Sequence, residues 1–176
     1  MLKKLNAEDF DEVYSLMEKS FPKDEYRSYK EQKELLSNPI YSIYALQGDG
    51  GSVKAFIAVW EFNEFLFIEH LAVNPEYRNS GIGTRMLSEI AALFNKTACL
   101  EVEPPETELS CRRIGFYERN NFFFNEYPYI QPAISKGRKP VTLFIMTSGG
   151  TVDEKMWRQI KNTLYSKVYK CSASHI

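Results

Sequence analysis

The sequence contains few of the residues that metal sites and disulfide frameworks require. It has 176 residues, with three cysteines, at positions 99, 111 and 171, and two histidines, His70 and His175. An odd number of widely spaced cysteines argues against a disulfide framework or a paired-cysteine zinc site. Two histidines argue against a multi-histidine metal centre. The sequence therefore predicts no metal cofactor, and a reducing, cytoplasmic location fits it.

The sequence also lacks a long apolar run and an excess of either charge. No run approaches the ~20 apolar residues of a membrane-spanning helix, and the N-terminal residues MLKKLNAEDF have no apolar core of a signal peptide. The net charge is -1, from 22 basic and 23 acidic residues. Nucleic-acid binding calls for a basic surface. We therefore expect neither nucleic acid nor a membrane as a partner.

Hydrophobic periodicity predicts eleven elements in one domain-sized chain, in the order ααβββαβαββα. The predicted helices span about 7–20, 23–36, 81–94, 109–120 and 153–169. The predicted strands span 41–47, 53–62, 65–73, 97–102 and 141–147, with one more beginning at 122. Asn6 is expected to cap the first helix, and Thr151 with Glu154 to form a capping box for the last. Gly48 to Gly51 predicts a hairpin, and Pro128 to Pro140 an irregular loop. This order indicates a mixed α/β fold.

The segment from Phe67 to Leu87 carries the strongest functional signal. An apolar strand is followed by a turn, two glycines (Gly81 and Gly83) and the start of a helical pattern. Free N–H groups and the helix dipole make such a helix start an anion site. The simplest alternative is an ordinary tight turn. A dinucleotide-binding fingerprint, Gly-x-Gly-x-x-Gly, is a second alternative, because Glu101 follows at the distance where that motif has an acidic residue. Met86, however, occupies the position of the motif's third glycine, where a small residue is needed.

Two segments together resemble the GCN5-related N-acetyltransferase (GNAT) superfamily. Arg78-Asn79-Ser80-Gly81-Ile82-Gly83 matches the family's Arg/Gln-x-x-Gly-x-Gly/Ala signature, and Phe116-Tyr117-Glu118 opens a match to its F-Y-E-x-x-G-F segment. Asn121 replaces the second segment's glycine, and asparagine tolerates left-handed backbone geometry. The resemblance implies the GNAT-like acyl-CoA N-acyltransferase fold, a mixed sheet flanked by helices, over 1–150. Residues 151–176 would be a C-terminal helical extension, packed on the same domain or on a partner.

The resemblance implies transfer of an acetyl group from acetyl-CoA to a primary amine, directly, in a ternary complex. A non-catalytic acyl-CoA-binding sensor or interaction module is the alternative. The coenzyme would be held by the strand's main chain and by the glycine turn. The residues implied are Leu71, Val73, Arg78, Asn79, Gly81, Ile82, Gly83 and Thr84.

Two side chains are implied in the chemistry. An alkylamine is protonated at neutral pH, with a pKa near ~10.4, so a proton acceptor is needed. By resemblance, Tyr117 is the acid that serves the leaving thiolate, and Glu69 is a candidate base. A buried structural carboxylate is the alternative for Glu69, and another carboxylate could be the base. A structural role is expected for the adjacent His70.

Three residues are candidates for the acceptor site. Glu101 and Glu103 share one face near the end of a strand, where an open α/β sheet binds ligands. By resemblance, Tyr129 lies where the family's variable segments border the acceptor site. An acidic pocket would suit a cationic amine, whereas a solvated strand end is the plain alternative. The expected partner is a small-molecule or peptide amine. Its identity and a homodimer are left open.

Overall fold

The computed structural model describes residues 2–48 and 51–171, and within these ranges the chain forms seven strands and five α-helices. The strands are β1 Lys3–Lys4, β2 Tyr41–Gln47, β3 Val53–Glu61, β4 Leu66–Val73, β5 Ala98–Val102, β6 Phe122–Gln131 and β7 Val141–Ser148. The helices are α1 Phe10–Ser20, α2 Tyr29–Glu34, α3 Ile82–Phe94, α4 Glu108–Arg119 and α5 Glu154–Thr163. The predicted α/β class and the predicted strands before residue 103 are confirmed.

The chain divides into two compact units, Met1–Cys99 and Leu100–Ile176, and β5 contributes residues to both. The sheet is mixed and has seven strands. In the first unit their order is β1-β2-β3-β4-β5, and in the second it is β5-β7-β6. Pairs β1–β2, β2–β3, β3–β4 and β6–β7 are antiparallel.

The first unit is an antiparallel meander covered by helices. Large apolar side chains of β3 and β4, such as Phe56, Trp60 and Phe67, are completely buried. Phe10, Val13 and Met17 of α1 have no exposed surface either. Burying a side chain of this size stabilises the fold by about 1.5–3 kcal/mol. This core makes β4 a rigid support for the residues that follow it.

A bulge interrupts β4 at Glu69. On β3, the consecutive residues Ala58 and Val59 pair with His70 and Ile68, so Glu69 stands opposite no residue. A bulge leaves the extra residue unpaired and turns its side chain away from the regular alternation. Glu69 and His70 can therefore both be buried although they are neighbours on a strand.

The second unit corrects one prediction. Residues 128–131 belong to β6 rather than to a loop, and Tyr129 and Gln131 pair with Leu143 and Val141 of β7. Pro128 is tolerated because it lies where the register shifts, between Asn125 and Tyr129, and because β6 ends the strand order.

Three helix predictions are also wrong in detail. The expected helix over 23–36 is a short α2 between 3-10 turns, because Ser28 and Glu31 form a capping box that begins the helix there. Asn6 makes no side-chain cap, and Asp153 replaces Thr151 as the cap of α5. The last predicted helix changes to π geometry over Leu164–Val168. The hairpin at 48–51 includes residues 49 and 50, which lie outside the described residues.

Candidate functional site

The glycine turn after β4 leads directly into α3. Gly81 is the N-cap of α3 and has φ 78, and Asn79 has φ 60. Two left-handed residues so close together turn the chain sharply, and glycine adopts this geometry without steric cost. Gly81 and Thr84 are exposed, whereas Ile82 and Gly83 are half-buried. The first-turn N–H groups of a 13-residue helix therefore end at an accessible surface.

This helix start has the properties of an anion site. Gly81 provides no side-chain cap for the first-turn N–H groups. A Cβ at Gly81 would meet no atom within 4 Å, so the space beside its backbone is open. The positive end of the helix dipole lies here as well. A phosphate group could thus approach the main chain closely.

Arg78 adds positive charge beside the turn. It is exposed, and its Nε donates to the carbonyl of Val73, 3.2 Å away. This bond links the end of β4 to the turn and restrains the guanidinium. Leu71 and Val73 are half-buried, whereas Ala72 between them is buried. The predicted coenzyme residues from Leu71 to Thr84 thus form one continuous segment.

Glu69 is held in a buried ion pair that the sequence analysis missed. Its Oε1 lies 2.8 Å from Nη1 of Arg27, and the side chains are 2% and 7% exposed. Burial alone would raise the pKa of Glu69, but Arg27 and His70 outweigh it and hold that pKa below its ordinary value. A carboxylate with a lowered pKa is a weaker base.

His70, the residue after Glu69 on β4, is also buried. Its Nε2 lies 2.8 Å from the carbonyl oxygen of Glu25, and its ring packs on Phe21 with the centroids 4.8 Å apart. Burial lowers the pKa of His70, although Glu69 opposes that shift. At neutral pH the imidazole is therefore uncharged.

Tyr117 lies on α4, in the second unit, and is half-buried. Its ring contacts those of Phe116 and Phe122, with centroids 5.2 and 5.9 Å away. Burial raises its pKa to about 12, although Arg113 opposes the shift. The phenol therefore keeps its proton throughout the neutral range. In the same unit, Asn121 has φ 64, so the left-handed geometry expected of the family's glycine position is confirmed.

The second unit also holds the predicted acceptor residues, and each carboxylate has a partner there. Glu101 accepts hydrogen bonds from the hydroxyls of Tyr129 and Tyr169. Burial, and then the charge of Glu101, raises the pKa of Tyr129. Glu103 pairs with Arg113 at 2.6 Å, with the side chains 32% and 38% exposed. Tyr129 is buried, whereas Glu101 and Glu103 are half-buried.

Arg27 and Tyr169 are the two site residues that sequence reasoning missed. Arg27 sits in the charged segment that was predicted as a helix over 23–36, and its burial depends on a tertiary contact. Tyr169 follows an apolar stripe whose packing partner no pattern specifies. One signal was available in each case: an arginine is rarely buried unless it is paired, and a buried tyrosine needs a partner for its hydroxyl.

The described part of the chain holds neither a metal-ligand cluster nor a membrane-spanning helix. Among residues 2–48 and 51–171, no group of three or more His, Cys, Asp or Glu side chains is arranged to hold a metal ion. In the same part of the chain, no helix is both long and apolar enough to cross a bilayer.

Comparisons with known proteins agree on one family. The pattern of the GNAT acetyltransferase domain matches residues 39–122. A solved structure from Bacteroides thetaiotaomicron, provisionally described as a GNAT-family acetyltransferase, is 30% identical. The match covers 98% of this chain and 99% of that one, with a TM-score of 0.86.

A curated protein from Bacillus subtilis strain 168, YjbC, is provisionally described as an acetyltransferase and is 29% identical over 111 residues. The match covers 62% of this chain and 55% of that protein, so the chain spans about half the length of this relative. A ribosomal-protein alanine N-acetyltransferase from Escherichia coli has the same fold, with 18% identity, 88% and 96% coverage and a TM-score of 0.64. A variant of spermidine N-acetyltransferase from Vibrio cholerae is 16% identical, with 84% and 94% coverage and a TM-score of 0.60.

Proposed function

Because the chain belongs to the GNAT family of acetyltransferases, we propose that it moves an acetyl group from acetyl-CoA to a primary amine, directly, in a ternary complex. One observation carries the proposal most: the left-handed Gly81 begins α3 and leaves its first-turn N–H groups at an open surface. Coenzyme A carries a pyrophosphate, the kind of anion that such a helix start binds.

The residues at this helix start fit the coenzyme's charge. We propose that the N–H groups of Asn79, Gly81, Ile82, Gly83 and Thr84 face the pyrophosphate and that Arg78 adds a full positive charge. The main chain of Leu71 and Val73 would pair with the coenzyme's amide-bearing arm. The carbonyl of Val73 already accepts a bond from Arg78, so the arm would share or displace that bond.

Tyr117 is proposed to serve the leaving group. When the amine nitrogen bonds to the acetyl carbon and the C–S bond breaks, negative charge collects on sulfur. A thiol has a pKa near ~8.5, whereas burial raises the pKa of Tyr117 to about 12. A complete proton transfer from the phenol is therefore uphill. We propose that Tyr117 stabilises the thiolate by donating a hydrogen bond, and that the sulfur receives its proton afterwards.

Glu69 is proposed to help remove the amine's proton. The Arg27 ion pair makes its carboxylate too weak a base to deprotonate a free ammonium ion, whose pKa is near ~10.4. The nitrogen becomes far more acidic once it has bonded to the acetyl carbon. Glu69 would thus act after the acceptor has bound as the neutral amine.

The acceptor is proposed to be a small-molecule or peptide amine. Structural neighbours are named for spermidine and for a ribosomal protein, so neighbours with this fold serve both classes. Of the proposed acceptor residues, Glu103 is the most accessible to a cation, since Glu101 bonds two tyrosines and Tyr129 is buried.

One observation favours the alternative, a non-catalytic acyl-CoA-binding module. Glu69, Glu101 and Glu103 each have a partner within the chain already, as a structural carboxylate would. A module of this kind would use the same glycine turn to bind the coenzyme and would turn nothing over.

The test is a screen for thiol release from acetyl-CoA against polyamines, amino acids, aminoglycosides and peptides. An amine-free reaction measures background hydrolysis, and calorimetry measures coenzyme binding. Thiol release above background, together with an acetylated amine in the mass spectrum, is the expected result. Coenzyme binding without turnover of any amine would favour the binding module, and no coenzyme binding would contradict both.

A further inference from the structure

Two buried hydrogen-bond acceptors face each other at the β4 bulge. Nδ1 of His70 lies 3.7 Å from Oε2 of Glu69, and both side chains are 2% exposed. Among the described residues, neither atom has a partner in regular hydrogen-bond geometry, although the Trp60 N–H lies close enough to the Glu69 carboxylate to lower its pKa. Buried polar atoms almost always have a hydrogen-bond partner, so two orphaned atoms side by side require an explanation.

The other contacts of both side chains place the proton of His70 on one ring nitrogen and orient the carboxylate of Glu69. Nε2 of His70 lies 2.8 Å from the Glu25 carbonyl oxygen, which can only accept, so Nε2 carries the proton. Burial favours the neutral form of the ring, in which Nδ1 presents a lone pair. On the other side of the gap, Oε1 of Glu69 is held by Arg27 at 2.8 Å, so Oε2 is directed toward the imidazole.

Charged and polar side chains from several parts of the first unit lie near the pair. Arg27 lies between α1 and α2, Trp60 on β3 and Tyr41 on β2. Arg27, which lies over the Trp60 ring, and Trp60 itself both lower the pKa of Glu69. Burial, and then the charge of Glu69, raises the pKa of Tyr41. Trp60 acts on Glu69 as an N–H donor close to the carboxylate, although its Nε1–H falls short of regular hydrogen-bond geometry. Burial lowers the pKa of His70, although the charge of Glu69 and the Glu25 carbonyl oppose that shift. With a neutral imidazole, the pair holds one negative charge and no proton at the gap.

We propose that Glu69 and His70 act as one proton-accepting pair, in which the proton lost by the acceptor nitrogen comes to rest on Nδ1 of His70 against Oε2 of Glu69. His70 then receives the proton by way of Glu69 and need not touch the acceptor itself. The inference rests on the proposed acetyl transfer and deepens it, because it assigns the site where the proton is held.

The neutral amine bonds to the acetyl carbon, and its nitrogen gains a positive charge. That nitrogen loses one proton to the pair, the C–S bond breaks, and the electron pair leaves with sulfur as thiolate. Later the pair releases its proton to solvent and the thiolate takes one up, so the net products are the acetylated amine and the free thiol.

The first test is nitrogen-15 NMR of the imidazoles in the wild-type protein. The sequence has two histidines, so a His175→Gln variant assigns the signals. At pH 7.5 we expect the His70 ring to be neutral with its proton on Nε2, and its titration midpoint to lie below 6.5, the ordinary histidine value. A ring that is protonated on both nitrogens, or on Nδ1 alone, at pH 7.5 would overturn the proposal.

The second test is a double-mutant cycle on steady-state turnover. His70→Gln keeps an N–H donor for the Glu25 carbonyl but removes the proton acceptor, and Glu69→Gln removes the carboxylate charge. Each single variant is expected to lower kcat about 100-fold with an unchanged KM for acetyl-CoA. Because the two residues act as a unit, the double variant is expected to match the worse single variant. Multiplying losses, or wild-type kcat in His70→Gln, would refute the pairing.

The two tests keep this inference separate from the proposed function. The NMR measurement needs no substrate and no variant of the pair, so it stays decisive if His70→Gln fails to fold. A wild-type protein that acetylates no amine would remove the proposed function while His70 could still show the expected tautomer. An active enzyme with His70 protonated on both nitrogens would remove the pair and leave acetyl transfer in place.

Discussion

The hydroxyl of Tyr169 lies 2.8 Å from Oε1 and 2.7 Å from Oε2 of Glu101. Tyr169 directly follows the π-helical turn Leu164–Val168, so this contact fastens the end of the last helix to β5. The hydroxyl of Tyr165 donates to the Ile130 carbonyl at 2.6 Å. A π turn changes the direction of the side chains that follow it, which brings both hydroxyls to polar partners within the second unit.

Replacement of Tyr169 by Phe is expected to destabilise the fold. The change removes a hydrogen bond to an ionised carboxylate and keeps the ring, which is 8% exposed. Hydrogen bonds to charged groups are worth about 1.5–3 kcal/mol, so we expect a loss of about that size in the free energy of unfolding. Urea titration followed by circular dichroism measures it.

Tyr127→Phe is the matched control for Tyr169→Phe. The Tyr127 hydroxyl is in the same unit and donates one long bond, 3.3 Å, to the neutral carbonyl of Val152. Its loss should cost about 0.5–1 kcal/mol. If the two variants lost equal stability, the Glu101 contact would have no special weight.

Gly81→Ala is expected to weaken binding of coenzyme A and to cost stability. A side chain at φ 78 is strained by about 1–2 kcal/mol, and the added methyl group enters the space proposed for the pyrophosphate. We expect at least about a 10-fold increase in the dissociation constant for coenzyme A, since ~1.4 kcal/mol of lost contact corresponds to that factor. Isothermal titration calorimetry measures it.

Gly149→Ala separates strain from obstruction. Gly149 has φ 80, and a Cβ there would also meet no atom within 4 Å. The backbone strain is thus matched, but Gly149 follows β7 rather than the glycine turn. Coenzyme binding should be unchanged in this control. Equal losses of affinity in both variants would mean that Gly81 acts through stability alone.

Arg27→Met is expected to destabilise the first unit strongly. Breaking a buried ion pair leaves Glu69 as an uncompensated charge, which costs about 3–5 kcal/mol. In the wild type the lowered pKa of Glu69 means that its stabilisation is present above its unfolded pKa, near ~4.3, and is lost as the pH falls through the folded value.

The pH dependence of Arg27→Met should have the opposite sign. Without Arg27, burial is expected to raise the pKa of Glu69, so the variant loses stability as the pH rises above ~4.3. The stability gap to the wild type should therefore be larger at pH 7 than at pH 4. Arg113→Met, which breaks the more exposed pair with Glu103, should cost only about 0–1 kcal/mol. A gap for Arg27→Met that does not change with pH would contradict the role assigned to the ion pair.

The sequence predicted the fold best where local patterns and packing agree. The β2–β4 meander and α3 follow from alternating and helical apolar patterns, and these elements form the core of the first unit. The strand through Pro128 was missed because proline usually ends a strand. An edge strand with a bulge forms there because Tyr129 and Gln131 pair with Leu143 and Val141 of β7.

The site was predictable as far as it is local. The glycine turn is a short-range pattern, and Gly81 has the left-handed backbone that the pattern requires. Arg27 and Glu69 are 42 residues apart, so no local signal joins them. The bulge at Glu69 depends on how β3 and β4 align, which the pattern of β4 alone does not specify.

Tyr117→Phe is expected to lower turnover and leave coenzyme binding intact. The ring packs between Phe116 and Phe122, and phenylalanine keeps those contacts. Loss of the hydroxyl removes the proposed hydrogen bond to the leaving thiolate, which should lower kcat about 100-fold. Initial-rate assays of thiol release give kcat, and calorimetry gives the affinity for the coenzyme.

The pH profile makes the prediction for Tyr117 more specific. Burial raises its pKa to about 12, so the phenol is a donor at every pH at which the assay runs. A basic limb of kcat between pH 8 and pH 10 therefore cannot belong to Tyr117, and Tyr117→Phe should lower kcat by the same factor across that range. If the limb disappeared in the variant, the phenol would be titrating there, and the hydrogen-bond role would have to give way to full proton transfer.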